Sequence, residues 1–352
     1  MGEDVDLAKD LAEQVRAARG PLAIVGSGSK RFYSGTVHGT MLDVTGHRGI
    51  VEYEPTELVI TARAGTSLKD IERALAEKGQ MLAFEPPHFG DGATLGGTIA
   101  CGFSGPRRPF AGSARDFVLG TRIVNGKGEV LCFGGKVMKN VAGYDISRLM
   151  AGSLGTLGVI LDLSLKVLPC PAAETTLGFE ESAANAIAKM NRWAGQPLPL
   201  SAAAHIGETL YVRLSGTESA VGAACKRLGG EVVENGELFW EEVREHQQVF
   251  FQGSEPLWRL SVPPATATLD LPGNWLIDWG GAQRWLVSGA PEANIRSVAA
   301  KAGGYATIFR NSSPACDSLT QLDPTTRTLQ ARIRQAFDPN GVFGGTGAAV
   351  AA

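Results

Sequence analysis

Sixteen of the chain's 45 glycines fall between Phe84 and Pro169, fourteen of them in the strings FEPPHFGDGATLGG, GFSGPRRPFAGSARDFVLG, GGKVMKNVAGYD and AGSLGTLGVI. Glycine gives up more backbone freedom on folding than any other residue, so such crowding belongs where main chain bends sharply or lies directly on a ligand. The chemistry on offer is that of the backbone: N–H donors for phosphate oxygens, and faces without side chains against which a large flat cofactor can lie. A smaller cluster stands upstream. Gly26-Ser27-Gly28-Ser29-Lys30 follows the apolar run Leu22–Val25 and could cradle a diphosphate in a concave nest of N–H groups.

Three readings compete for that first loop. A dinucleotide-fold fingerprint requires G-x-G-x-x-G opening a helix, with an acid about twenty residues later. Gly26 and Gly28 fit, but Arg31 stands where the third glycine belongs, Asp43 is the only acid in place, and RFYSGTVHG has no helical period. A mononucleotide P-loop needs its lysine between a glycine and a Ser or Thr, whereas Lys30 precedes Arg31. The third reading is a tight surface turn, which the loop alone does not separate from a phosphate nest.

Side chains suited to acid–base or ionic work are sparse. Arg107-Arg108 reads as solvated surface or, in a cofactor cleft, as a cation pair for phosphate or carboxylate. Lys139, Asn140 and Tyr144 fit the start of a helix as readily as a site, and Asp116 could cap or ion-pair. His88 in PPHF reads as a hydrogen-bonded packing residue rather than a base, and His38, His47, His205 and His246 have less local context.

Bulk properties narrow the classes. A chain of 352 residues divides into about two domains, and 44% hydrophobic with 20% charged residues describes an ordinary globular protein. A net charge of -3, without a basic stripe, argues against nucleic acid as a partner. Cys101, Cys132, Cys170, Cys225 and Cys316 are too dispersed for a disulfide framework, a metal site or a cluster, which places the chain in the reducing cytoplasm. No apolar run approaches the ~18 residues that cross a bilayer. The opening MGEDVDLAKDL is no signal peptide, so membrane association is expected only through partners.

The elements that must position these strings follow from periodicity. Leu7, Leu11, Val15 and Ala18 space a helix over 5–19, ended by Gly20-Pro21. Leu22–Val25, MLDV, IVEYE and LVITARA read as strands, and Ser67 with Asp70 forms a capping box opening a helix to Gly79. FVLGTRIV and EVLCFG flank Asn125-Gly126-Lys127-Gly128 as a β-hairpin, which gives Gly126 and Gly128 to the turn rather than to a ligand. YDISRLMAG is a short helix closed by Gly152, and VILDLSLKVLP alternates as a half-buried strand that Pro169 stops. Beyond a Pro-Cys-Pro hinge, TTLGF, AAAHI, TLYVRL, RWLVSG and YATIFR alternate with helical stretches, an α+β pattern with an antiparallel sheet and no usable internal repeat. From Pro324 a last helix runs into FDPNGVFGG and a frayed tail, GTGAAVAA. The expected domains are 1–170, 171–323 and a returning segment 324–352.

GSGSK, TLGGTIACGFSG, AGSARDFVLG, KNVAGYDISRL and GSLGTLGVI stand in the order seen in the PCMH-type FAD-binding fold of the vanillyl-alcohol oxidase superfamily. Over residues 20–175 the chain closely resembles the FAD-binding subunits of bacterial glycolate oxidase (glycolate dehydrogenase). The resemblance implies an α+β protein: a PCMH-type FAD-binding domain of two α/β subdomains, plus a ferredoxin-like α+β cap domain with an antiparallel sheet. It implies that Gly26, Ser27, Gly28, Ser29 and Lys30, with Thr94, Leu95, Gly96 and Gly97, hold the pyrophosphate of FAD. Gly102, Ser104 and Gly105 would lie by the flavin, Gly112, Arg115 and Asp116 near the ribityl and diphosphate, and Gly152, Gly155, Gly158 and Ile160 at the adenine end. Members that bind flavin covalently often carry a histidine in the first loop; Ser29-Lys30 stands here, so the implied FAD is non-covalent.

Oxidising a 2-hydroxy acid needs a hydride acceptor, a base for the hydroxyl proton and a cation for the carboxylate. Residues 170–352 contain only His205 and His246, far apart and without an H-x-G-D-type string, so no metal-assisted site and no catalytic residue is assigned. The resemblance implies partners: a second FAD-containing catalytic subunit and an iron–sulfur subunit, in a complex that oxidises glycolate to glyoxylate, cytoplasmic or at the cytoplasmic face of the inner membrane. Two alternatives stay open. One is an autonomous FAD-dependent oxidoreductase for another small hydroxy acid or alcohol, with Arg107, Arg108, Arg115 or Lys139 as clamp and Tyr144 as acid or base. The other is a structural subunit with a vestigial cradle.

Overall fold

The computed structural model describes residues 4–33, 38–135, 146–311 and 323–344. Lys139, Asn140, Tyr144 and the tail 345–352 lie outside these residues. The amino-terminal elements are α1 (Ala8–Ala17), β1 (Leu22–Val25), β2 (Thr40–Asp43), β3 (Ile50–Glu54), β4 (Val59–Arg63), α2 (Leu68–Ala76), β5 (Gln80–Met81) and α3 (Leu95–Cys101). Then come α4 (Arg108–Ala111), α5 (Ala114–Phe117), β6 (Val118–Val124), β7 (Val130–Gly134), α6 (Ile146–Leu149), β8 (Val159–Lys166) and β9 (Leu168–Pro169). The remainder is β10 (Ala173–Glu180), α7 (Ala183–Ala194), β11 (Leu200–Ile206), β12 (Thr209–Gly216), α8 (Glu218–Leu228), β13 (Glu231–Val232), α9 (Gly236–Glu245), β14 (Leu257–Ser261), β15 (Asn274–Asp278), β16 (Gln283–Val287), α10 (Glu292–Lys301), β17 (Tyr305–Arg310) and α11 (Pro324–Phe337).

The chain forms two compact units, Met1–Ser104 with Gly112–Cys170 and Gln321–Ala352, and Gly105–Ala111 with Pro171–Thr320. In the first, an antiparallel sheet runs β3-β4-β8-β6-β7. Its central strand β8 departs from the half-buried alternation read in the sequence. Ile160, Leu161, Leu163 and Leu165 are all buried, and Ser164 is buried with its hydroxyl 2.8 Å from that of Thr61. The physical reason is position: β8 has a strand on each side, α1 packs over Val159 and Leu161, and α3 also lies against it. The Ser67 cap accepts the Asp70 N–H, and the Asn125 turn is held by Lys127 and Glu129 N–H groups on its side-chain oxygen, as the sequence predicts. The missing side chain at Gly126 makes room for Asp338, whose carboxylate accepts the N–H groups of Val342 and Phe343 at 2.8 Å each and turns the carboxy-terminal segment onto β1.

A charged cluster ties the amino terminus to this sheet. Arg63 meets Asp4 at 2.6 Å and Asp6 at 2.9 Å, Arg122 meets Asp6 at 3.2 Å and Asp162 at 2.5 Å, and His47 lies fully buried against Asp162 at 3.2 Å. Leu7 N–H donates to Nδ1 of His47, which leaves Nε2 to carry the proton donated to Asp162. Burial acts to raise the Asp6 carboxyl, but the Ala8 amide and the Arg122 and Arg63 guanidiniums outweigh it and hold the group at about 2, below its ordinary 3.8. A carboxyl depressed by folding contributes stability above its unfolded pKa and loses it as pH falls through the folded one. Acid titration from pH 4 to 2 is therefore expected to loosen the amino terminus progressively, read as faster amide exchange at Leu7 and Ala8. The Asp6→Asn variant should show a flatter profile, and identical profiles would refute the assignment.

In the second unit all eight strands are antiparallel, in the order β13-β10-β12-β11-β15-β16-β14-β17. This is the ferredoxin-like order written twice: numbered from its own start, each four-strand half runs 4-1-3-2, and the halves meet edge to edge through His205↔Ile277 and Ile206↔Leu276. Each half has its own core, one under α7 and α8, the other under α10. The repeat escapes the sequence because the second half has no helix at its first crossover. Residues 262–273 make that connection, pinned by buried Arg284 through the carbonyls of Thr266 and Ala267.

Candidate functional site

Three glycine-rich stretches of the first unit, around Gly26–Gly28, Gly92–Gly102 and Gly152–Gly155, lie against one another. The first loop leaves β1 as a series of turns with no helix through residue 33, which excludes the dinucleotide fingerprint. The N–H groups of Gly26, Ser27 and Gly28 find no acceptor among the described residues. Gly28 sits at φ +79 with open space where a Cβ would be, while a Cβ at Gly92 would lie 3.2 Å from that of Ser27 and one at Gly26 would lie 3.0 Å from Thr94 Oγ1. The DGATLGG segment therefore lies directly against the first loop.

Thr94 does a second job. Its hydroxyl caps α3 by accepting the Gly97 N–H, which makes Leu95–Cys101 a helix that the sequence analysis does not assign. Leu95 and Gly96 N–H groups donate to the carbonyls of Thr66 and Ala64. These two residues thus bring α3 close to β4, and their N–H groups are already used, unlike those of the first loop. At the other end of α3, Gly102 takes φ +67 and a Cβ there would lie 3.0 Å from the Gly152 nitrogen. Gly152 and Leu154 N–H groups donate to Ile99 and Ala100, which joins the fourth string to the second, and a Cβ at Gly155 would face Ile24 of β1. Two hydroxyls on these joined segments, Thr98 Oγ1 and Ser153 Oγ, are buried without a hydrogen-bond partner among the described residues. Such groups are rare in folded proteins unless something else satisfies them.

Other sequence-assigned residues have structural duties. Ser104 accepts the Ala114 N–H, and Asp116 closes a capping box with Ser113 beside Gly112. Partial burial acts to raise the Asp116 carboxyl, but the Ser113 hydroxyl and amide, with Arg148 and Arg115, bring it below its ordinary value. Arg115 is exposed. Gly158 and Ile160 belong to the sheet: a Cβ at Gly158 would press on the Val124 carbonyl at 2.7 Å, and Ile160 pairs with Ile123. Gly105 and Arg107-Arg108 lie in the second unit, where both arginines have protein partners. Arg107 is buried with its guanidinium 2.7 Å from Glu174, Arg108 stacks on Trp279 at 4.2 Å, and Trp279 Nε1 donates to the Gly105 carbonyl.

His88 is the hydrogen-bonded histidine the sequence predicts, 3.1 Å from Glu72 of α2, while its carbonyl accepts from buried Lys30 Nζ at 3.1 Å. Four rings that the sequence reading passes over pack together: Phe32 on Phe89, Tyr33 on Phe103, and Phe89 on Phe103, at centroid separations of 5.5, 4.8 and 6.1 Å. Their signal was present as an aromatic flanking each glycine string, in RFY, PHFG and GFSG. Among the described residues no three His, Cys, Asp or Glu side chains are grouped to hold a metal, and no helix is long and apolar enough to cross a membrane.

Comparison with known proteins gives this geometry a family. The FAD binding domain family matches residues 3–134. Glycolate oxidase subunit GlcE of Escherichia coli (strain K12) is 50% identical over 346 residues, 97% of each chain. The chain belongs to the GlcE family. It is also similar to glycolate oxidase subunit GlcD of Bacillus subtilis (strain 168), 36% identical over 128 residues, which are 36% of this chain and 27% of that one. The fold is that of alkyldihydroxyacetonephosphate synthase, whose solved structure superposes with a TM-score of 0.68 at 14% identity, over 96% of this chain and 74% of that one. This GlcE-family chain is thus an FAD-binding oxidoreductase of PCMH-type fold. The residues in place fit the cofactor: three consecutive N–H donors suit a diphosphate, and buried Thr98 and Ser153 hydroxyls lack only a polar partner.

Proposed function

We propose that this chain is the FAD-binding subunit of a multi-subunit glycolate oxidase, oxidising glycolate to glyoxylate only within that assembly. The observation that carries the reading is the N–H nest at Gly26–Gly28, abutting Thr94 and Gly92, in a chain that matches a GlcE subunit along nearly its whole length. Bound FAD would supply two-electron acceptance. The first loop would hold the diphosphate, with the Thr94–Gly97 turn bringing main chain close; Gly102 and Ser104 would line the flavin, Gly112 the ribityl, and Gly152 and Gly155 the adenosine side. Gly158, Ile160 and Asp116 would shape that cradle through the sheet and the capping box. Residues 1–170 would carry the cofactor, 171–323 the cap and 324–352 the returning segment.

Arg107 and Arg108 are engaged by Glu174 and Trp279, which weighs against their serving as a substrate carboxylate clamp. The partners fitting this chain are a second, catalytic FAD subunit and an iron–sulfur subunit, placed in the cytoplasm or at the cytoplasmic face of the inner membrane. Co-purification from the native host, with flavin and iron counted per complex, tests this: the expected result is flavin on this chain, iron on a partner, and glycolate–dye turnover by the complex alone. Full-rate turnover by the isolated chain would overturn it. Acid precipitation should leave the flavin in the supernatant, since no histidine stands in the first loop to bind it covalently.

A further inference from the structure

Inside the stretch that matches the FAD binding domain family, the segment Gly105–Ala111 belongs to the second unit, while Ser104 and Gly112 on either side of it belong to the first. The excursion is closed at its neck, where the Ala114 N–H donates to the Ser104 hydroxyl at 2.9 Å. Within it Pro106 and Pro109 restrict the backbone, and Arg108–Ala111 winds into α4. Compact loops whose ends meet in this way are frequently functional.

The second unit holds this strap with groups of two kinds. Arg107 is buried, its guanidinium 2.7 Å from Glu174 and 3.3 Å from the Ser215 hydroxyl, residues that stand opposite each other on β10 and β12. Charged side chains are seldom buried unless paired, so the seat depends on that carboxylate. Arg108 lies over the Trp279 ring at 4.2 Å, and Trp279 Nε1 donates to the Gly105 carbonyl at 3.0 Å. Trp279 itself adopts left-handed backbone, φ 53, a costly shape for a residue with a side chain. It is fixed there by the Asp278 carboxylate, which accepts its N–H at 2.7 Å, and by Asn191 of α7, which donates to the Gly280 carbonyl at 3.2 Å. Strain persists only where the surroundings over-determine it, and it collects at positions with a task beyond packing. The two ends of the strap are peptide-bonded to Ser104 and Gly112, so whatever seats the strap also sets where those residues stand.

Resting on the flavin reading above, in which Ser104 lines the flavin and Gly112 the ribityl, we propose that Glu174 and Trp279 are positioning residues for FAD. By seating the Gly105–Ala111 strap they hold its two neighbours ready for the cofactor, so FAD binding and the stability of the second unit are coupled, and the coupling acts in both directions. The chain's six tryptophans lie between Trp193 and Trp285, all in the second unit, so their emission maximum follows that unit as urea is raised. In the wild-type chain, saturating FAD is expected to move this transition to higher urea. In Glu174→Gln and Trp279→Phe, FAD affinity measured by quenching of flavin fluorescence should fall about tenfold, and the FAD-dependent rise in midpoint should shrink with it. The phenylalanine variant keeps a ring beside Arg108, so it carries the test if the glutamine variant does not fold. Trp258→Phe, in the core under α10, is the control: it should lower the midpoint of the second unit while FAD affinity changes less than about twofold. Unchanged affinity in both strap variants, an equal loss in the control, or a wild-type midpoint indifferent to bound FAD would each overturn the proposal. Failure of the wild-type chain to take up FAD would sink the functional reading itself, a result distinct from these.

Discussion

Gly28→Val is expected to weaken FAD binding by about a hundredfold or more, roughly 2.7 kcal/mol, while the chain still folds. The residue sits at φ +79 and a Cβ there would have no protein atom within 4 Å. Its costs are of two kinds. Holding a β-branched residue in left-handed backbone takes about 1–2 kcal/mol, which the loop sheds by rotating and thereby dispersing the three N–H groups of Gly26, Ser27 and Gly28. A side chain would also fill the face on which the proposed function places the cofactor's diphosphate. Equilibrium dialysis or quenching of FAD fluorescence measures the effect, and the urea midpoint shows whether the fold survived. Undiminished affinity would mean that the nest does not face the cofactor.

Gly158 gives the contrast that makes this result specific. A Cβ there would meet the Val124 carbonyl at 2.7 Å, within the sheet, and φ is +150. Gly158→Ala should therefore act mainly on the stability of the first unit, with affinity falling only as folded protein is lost. Both glycines stand in the strings that sequence alone marks out, and density of glycine does not tell them apart. At Gly28 a Cβ would enter open space, where the proposed function puts the diphosphate; at Gly158 it would meet the neighbouring strand.

The same division explains what was legible beforehand. Caps and turns are local chemistry, so Ser67–Asp70 and the Asn125 hairpin are readable from adjacent residues. The α3 helix is not, because Gly96, Gly97 and β-branched Thr98 and Ile99 all depress helix propensity; it exists through the Thr94 cap and the close approach of Gly96 to Ala64. The fate of Arg107 was equally hidden, since its partner Glu174 lies 67 residues away. The family resemblance carried the cofactor, because the strings are contiguous. The ring contacts among Phe32, Tyr33, Phe89 and Phe103 and the doubled ferredoxin-like topology emerge only when separate stretches are folded together.

Removing one carboxylate from the amino-terminal cluster should show how far the first unit depends on such long-range pairing. Asp162 is 14% exposed at its side chain and faces Arg122 at 2.5 Å, Arg63 at 3.6 Å and His47 at 3.2 Å. Asp162→Ala leaves two guanidiniums and a buried imidazole to share Asp4 and Asp6 at the exposed rim, and strips His47 Nε2–H of its acceptor. Breaking a buried ion pair from one side costs about 3–5 kcal/mol, because the remaining charge stays desolvated. Asp162→Asn preserves shape and an acceptor oxygen for His47 while removing the charge, so a smaller loss of about 2 kcal/mol is expected from the weakened charge-assisted bonds alone. The cluster belongs wholly to the first unit, so in urea its transition should move to lower denaturant while that of the second unit stays in place. A loss under about 1 kcal/mol in the alanine variant would show that Asp4 and Asp6 satisfy both arginines unaided and that Asp162 is dispensable to the fold.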